Sequence, residues 1–172
     1  MALRPIRILG DDVLRKKAKK VEKINTFIKN LLDDMADTMY KNKGVGLAGN
    51  QVGILKRVIV VDDGDGLLQL INPVILEKEG TQTDEEGCLS LPDIYGDVER
   101  ADKIKVKAQN PQGKYIEFEA EGYLARIIQH EVDHLEGKLF SDTATNLHED
   151  KPEFHKENEE ETSEEVEKKD EN

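Results

Sequence analysis

The strongest constraint on what this chain can fold into lies in residues 122–137, Gly-Tyr-Leu-Ala-Arg-Ile-Ile-Gln-His-Glu-Val-Asp-His-Leu-Glu-Gly. Leu124, Ile127, Ile128, Val132 and Leu135 recur at helical spacing and predict a helix from about Gly122 to Glu136 with one apolar side. Gly137 is placed to close it in a left-handed cap. The segment His130-Glu131-Val132-Asp133-His134 sits inside that helix. Positions i and i+4 lie one turn apart on one face, so two imidazoles can reach one metal ion. Glu131, rotated by about 100° from His130, falls beside such an ion, where it can handle a proton of bound water. Two surface histidines on an ordinary helix would give the same letters. Here, however, they continue the row Tyr123, Ile127, His130, His134 next to the apolar side, and histidines in a core need partners. A shared metal is one.

The rest of the chain supplies what such a helix packs against. Asn25 or Thr26 can cap an earlier helix in which Phe27, Ile28, Leu31, Leu32, Met35 and Met39 recur at three- and four-residue spacing, ending before Gly44. Arg57 to Val61 reads as a short buried strand, Asp62 to Gly66 as a turn, and Leu67 to Ile75 as further strand broken at Asn72-Pro73. Ile104, Val106 and Ala108 alternate with polar residues, as do Ile116, Phe118 and Ala120. Between them, Asn110-Pro111-Gln112-Gly113 has the residues of a type I turn, which makes an antiparallel hairpin. These elements predict an α+β domain: antiparallel or mixed sheets around a central helix that carries the His-Glu-x-x-His motif.

Charge divides the chain in two. Of a formal net charge of −12, residues 148–172 carry 12 acidic and 4 basic groups, with Phe154 and Val166 as their large apolar residues. That stretch cannot bury enough to offset the entropy of ordering it, so a catalytic domain of 1–147 followed by a solvated acidic tail of 148–172 is expected. The acidic balance disfavours binding of nucleic acid. One Cys rules out an internal disulfide framework, no apolar run approaches a membrane span, and no secretory signal is readable.

A third ligand would decide the class of the metal site. One large group of zinc proteases places a third His where this chain has Phe140, so that reading fails. Another takes a Glu from further on, and Glu153 and Glu157 are within reach in sequence but lie in the acidic tail. The alternative is Cys88, the chain's only Cys, in Glu86-Gly87-Cys88-Leu89-Ser90-Leu91-Pro92. A lone Cys is ordinarily a small buried hydrophobe. Here Gly87 allows close backbone approach and Pro92 fixes the exit, and a thiolate with two histidines leaves one position open for water. A further segment, Gly44-Val45-Gly46-Leu47-Ala48-Gly49-Asn50-Gln51, lacks the ending of a phosphate loop. It reads either as a flexible turn or as a close-approach backbone surface with Gln51 aimed into a site.

Gly44 to Gln51, Glu86 to Ser90 and Gln129 to His134 together resemble the peptide deformylase family, whose three motifs occur in this order. The resemblance covers about residues 1–145. It implies that Cys88, His130 and His134 ligate a divalent metal, physiologically Fe²⁺, replaceable by Ni²⁺, Co²⁺ or Zn²⁺. It implies a cytoplasmic hydrolase that removes the formyl group from the N-terminal formyl-methionine of nascent polypeptides, releasing formate, and it leaves room for transient contact with the ribosome. By position, Glu131 is the general base, and the Gln51 amide and Leu89 backbone N–H stabilise the oxyanion. Val45, Gly46 and Gly87 hold the substrate backbone, and Ile127 and the Glu86 stem line the methionine pocket. Asp133 either supports the site or belongs to the helix surface. The family usually has Ala where this chain has Gly49, which predicts a looser loop with its chemistry intact.

Overall fold

The computed structural model describes residues 2–150. The first helix, α1, spans Thr26–Lys41, and the Asn25 side chain accepts from the Ile28 N–H at its start. Ile28, Leu31, Leu32, Met35 and Met39 form its buried side, while Phe27 lies on the outside of the helix, half exposed. Truncating a fully buried leucine such as Leu31 or Leu32 to Ala is typically worth about 2–5 kcal/mol.

Five strands form an antiparallel sheet: β1 (Gly46–Ala48), β2 (Val58–Asp62), β3 (Leu67–Glu79), β6 (Lys103–Gln109) and β7 (Tyr115–Glu121), in the order β1-β2-β3-β6-β7. The unbroken apolar run of β2 follows from burial on both faces. Val58 and Val60 pack with α1, and Ile59 and Val61 join the cluster on the opposite face. The expected break at Asn72-Pro73 is a bulge within one long strand. Asn72 adopts φ 53°, and its side chain bonds both the N–H and the C=O of Val21, which satisfies a backbone that the ladder misses there.

The second helix, α2, spans Gly122–Leu135 and buries Ala125, Ile128 and Leu135 against the second face of this sheet. Gly137, at φ 73°, donates to the His134 carbonyl and Lys138 to that of Asp133, a Schellman closure. The polar side of α2 faces a second sheet, β4 (Gln82–Cys88), β5 (Leu91–Arg100) and β8 (Thr145–Glu149), in the order β4-β5-β8. The helix is therefore central, with an apolar contact to one sheet and a polar contact to the other. Strand β8 includes His148 and Glu149 and so runs past the boundary expected at 147; residues 151–172 lie outside those described. No helix among the described residues is long and apolar enough to cross a membrane.

Candidate metal centre and cleft

Two elements bring the candidate ligands together. His130 and His134 project from successive turns of α2, and Cys88 ends β4 just before the two-residue turn Leu89-Ser90. The His134 Nε2 lies 3.3 Å from Cys88 Sγ and 3.2 Å from His130 Nε2. All three donor atoms fall within 4.8 Å of one another. A tetrahedral ion with bonds of about 2.0–2.3 Å separates its ligands by about 3.4–3.6 Å, so the two separations to His134 Nε2 are already close to what a divalent metal needs.

The surroundings prepare the donors. The Nδ1 of His130 lies 2.8 Å from Glu86 Oε1. A carboxylate only accepts, so Nδ1 carries the hydrogen and the Nε2 lone pair is left for a metal. Burial works against charge on Glu86. The hydrogen bonds from Arg100 and His130 outweigh it and hold the carboxyl far below the ordinary range. Burial also opposes charge on His130, yet Cys88 and Glu86 push it up to about 10. Burial, then the His130 and Arg100 charges, hold His134 well below 6.5, so it is neutral.

Glu131 is buried, with Oε1 4.0 Å from His130 Nε2 and Oε2 without a hydrogen-bond partner among the described residues. Burial, partly offset by His130, raises its carboxyl to about 7, suited to taking and giving a proton near neutral pH. Gln51 is locked. Its Oε1 accepts from the Ala48 N–H at 2.9 Å, which turns the NH₂ group toward Ser90 Oγ at 3.1 Å and Cys88 Sγ at 3.5 Å.

A cleft of about 610 Å³ opens over these groups. It is lined by Val45, Gly46, Gln51, Glu86, Gly87, Cys88, Leu89, Ile127, His130 and Glu131. His134, also buried, is not part of the lining and meets the centre through its Nε2. Among the described residues β1 and β4 each pair on one side only, so two open strand edges flank the cleft. Gly46 is required where it stands, because a Cβ there would sit 2.7 Å from Glu131 Oε1. Gly49 corrects the expectation of a looser loop. It is buried, and a Cβ would meet the carbonyl oxygens of Lys56 at 2.6 Å and Ile54 at 2.7 Å, so glycine serves close backbone packing. Asp133 accepts from Arg100 at 2.6 Å, which ties it to the Glu86 network. Glu153 and Glu157 lie outside the described residues.

Sequence reasoning missed Arg100, Arg126, Tyr95 and Tyr123. The last three line the cleft, and Arg126 and Arg100 both bond Glu86. The one available signal was Arg126 standing one helical turn before His130.

Comparison with known proteins places the chain among relatives of one kind. The family model for polypeptide deformylase matches residues 3–150. The peptide deformylase of Thermoanaerobacter pseudethanolicus is 56% identical over 144 residues, spanning 84% of this chain and 91% of that protein. Peptide deformylase 1 of Clostridium perfringens is 59% identical over 144 residues, spanning 83% and 98%. The crystal structure of peptide deformylase from Thermotoga maritima aligns with a TM-score of 0.83 at 49% identity, covering 84% of this chain and 99% of that one.

Proposed function

This chain belongs to the polypeptide deformylase family, enzymes that remove the formyl group from the N-terminal methionine of nascent polypeptides, and from that premise we propose how its own residues divide the work. Cys88, His130 and His134 hold one divalent metal ion, with Fe²⁺ the physiological ion and Ni²⁺, Co²⁺ or Zn²⁺ able to replace it. When bound, such an ion would supply Lewis acidity and a water of lowered pKa, from about 15.7 toward about 7. Glu131 takes the water's proton and delivers it to the leaving amine. The Gln51 Nε2 and the Leu89 backbone N–H donate to the oxygen that gains negative charge as the formyl carbon becomes tetrahedral. One such donor is worth about 2.7–4 kcal/mol of barrier. Val45, Gly46 and Gly87 pair with the peptide backbone, which enters as a strand between β1 and β4. Ile127 and the aliphatic stem of Glu86 line the methionine pocket. The products are formate and a free amino terminus.

The observation that carries this reading is the Glu131 carboxylate, buried with Oε2 unpartnered among the described residues, beside three converging donors in a cleft lined by edge strands of both described sheets. Around this centre we assign the catalytic domain to residues 1–147 with the last strand completed by His148 and Glu149, a cytoplasmic location, and transient contact with the ribosome as the source of substrate. The test is formate release from formyl-Met-Ala by the purified chain, with metal analysis of the same sample. One formate per peptide, proportional to metal content, is expected. Release of free formyl-methionine instead would make the chain a metallopeptidase.

A further inference from the structure

The ligands of the proposed centre come from two elements, Cys88 from β4 and the two histidines from α2, so how β4 and α2 are joined decides how the donors meet. Arg126 bridges the two elements. It stands on α2 one turn before His130 and is buried. Its guanidinium donates to Glu86 Oε2 at 2.6 Å and to the Gln82 carbonyl at 3.3 Å, both on β4, and to the Val98 carbonyl on β5 at 2.8 Å. Arg100 holds the same carboxylate from β5, with two bonds of 2.8 and 2.9 Å. Glu86 therefore accepts from Arg100, from Arg126 and from His130 Nδ1, and its position is fixed from three directions.

We propose that Arg126 is a positioning residue of the metal centre: by pinning the Glu86 carboxylate, it sets the orientation of His130 toward the other two donors. This inference rests on the metal-site reading above. Arg126 also lines the cleft, so it could be read simply as a wall of the methionine pocket. The two roles separate in a measurement that needs no turnover. A pocket wall affects KM for the formyl peptide. A positioning residue affects metal affinity before any peptide is present, and it does so through Glu86.

The experiment titrates the metal-free, full-length chain with Co²⁺ against a competing chelator and records the thiolate-to-metal absorption. Variants are Arg126→Met, Glu86→Gln and the double substitution. Arg126→Met is expected to weaken Co²⁺ binding by about 10–100-fold, as loss of groups that orient metal-ligating histidines does, and to shift the absorption. In the Glu86→Gln background the same change should add less than about threefold, since its route to His130 is already cut. If Arg126→Met does not fold, Arg126→Lys takes its place. One ammonium cannot reach Glu86, Gln82 and Val98 together, so weakening of at least about threefold is expected. Co²⁺ affinity and absorption unchanged in the arginine variant, or effects fully additive with Glu86→Gln, would overturn the proposal. Failure of the wild-type chain to give a thiolate–Co²⁺ band would overturn the metal-site reading beneath it.

Discussion

Replacing Glu131 by Gln should make the metal-free protein more stable at pH 8 than at pH 4, relative to wild type. The Glu131 carboxyl titrates near 7 when folded, chiefly because it is buried, against an ordinary value of 4.5. A folded-state acid with a raised pKa costs nothing below its unfolded pKa, where both states are protonated. The cost grows as pH rises from 4.5 and is complete above about 7. Its full size is about 3 kcal/mol, since each pKa unit is worth 1.36 kcal/mol. The buried amide of Gln carries its own cost, which is the same at both pH values and cancels from the difference. His130, pushed up to about 10, keeps its proton throughout this range. For a domain of this size, the variant's melting temperature should therefore rise relative to wild type by roughly 6–12 °C more at pH 8 than at pH 4. Calorimetry on chelator-treated samples at both pH values reads this directly. An equal shift at the two pH values would refute the claim that burial holds the Glu131 carboxyl at a raised pKa.

Cys88→Ala should abolish metal retention on gel filtration, whereas Glu153→Ala and Glu157→Ala should keep stoichiometric metal; metal bound by the Cys88 variant would move the third ligand elsewhere. Gly49→Ala should lower stability by about 1–3 kcal/mol by forcing a Cβ against the Ile54 and Lys56 carbonyls, despite the family's usual Ala, and chemical denaturation measures it. Removing residues 151–172 should change stability by less than about 0.5 kcal/mol, because Phe154 and Val166 are the tail's large apolar residues; a large drop in melting temperature would show that the tail docks on the domain. Removing residues 148–172 should cost more, since His148 pairs with Tyr95 in the β5–β8 ladder.

Both helices and the β6–β7 hairpin were legible because their apolar residues repeat at 3.6 or 2. The β4–β5 hairpin was not. Its buried positions include Glu86, Gly96 and Arg100, so the alternation that marks a half-buried strand is missing where the site sits. A strand built to present a carboxylate and a thiolate gives up the apolar pattern by which strands are recognised. The two candidate metal-binding histidines and Glu131 could be read because helical spacing puts them in local register, whereas Cys88 stands on β4 and was singled out by its flanking residues and by the resemblance. The Arg126–Glu86 contact spans 40 residues and joins a helix to a strand, so no local pattern encodes it. Arginine in a helix ordinarily reads as a solvated residue, and only the burial of its guanidinium against β4 shows otherwise. Gly49 was misjudged for a related reason: its meaning lies in the Ile54 and Lys56 carbonyls packed over it.

The measurement that bears most directly on the central claim is formate release from formyl-Met-Ala by metal-loaded Glu131→Gln, with metal content and formyl-peptide affinity determined on the same sample. Gln preserves the shape and leaves the two imidazoles and the thiolate untouched, so metal and peptide should both stay bound. Turnover should fall by at least about 10²-fold if Glu131 moves the proton. Turnover near the wild-type rate, with metal and peptide bound, would contradict the account.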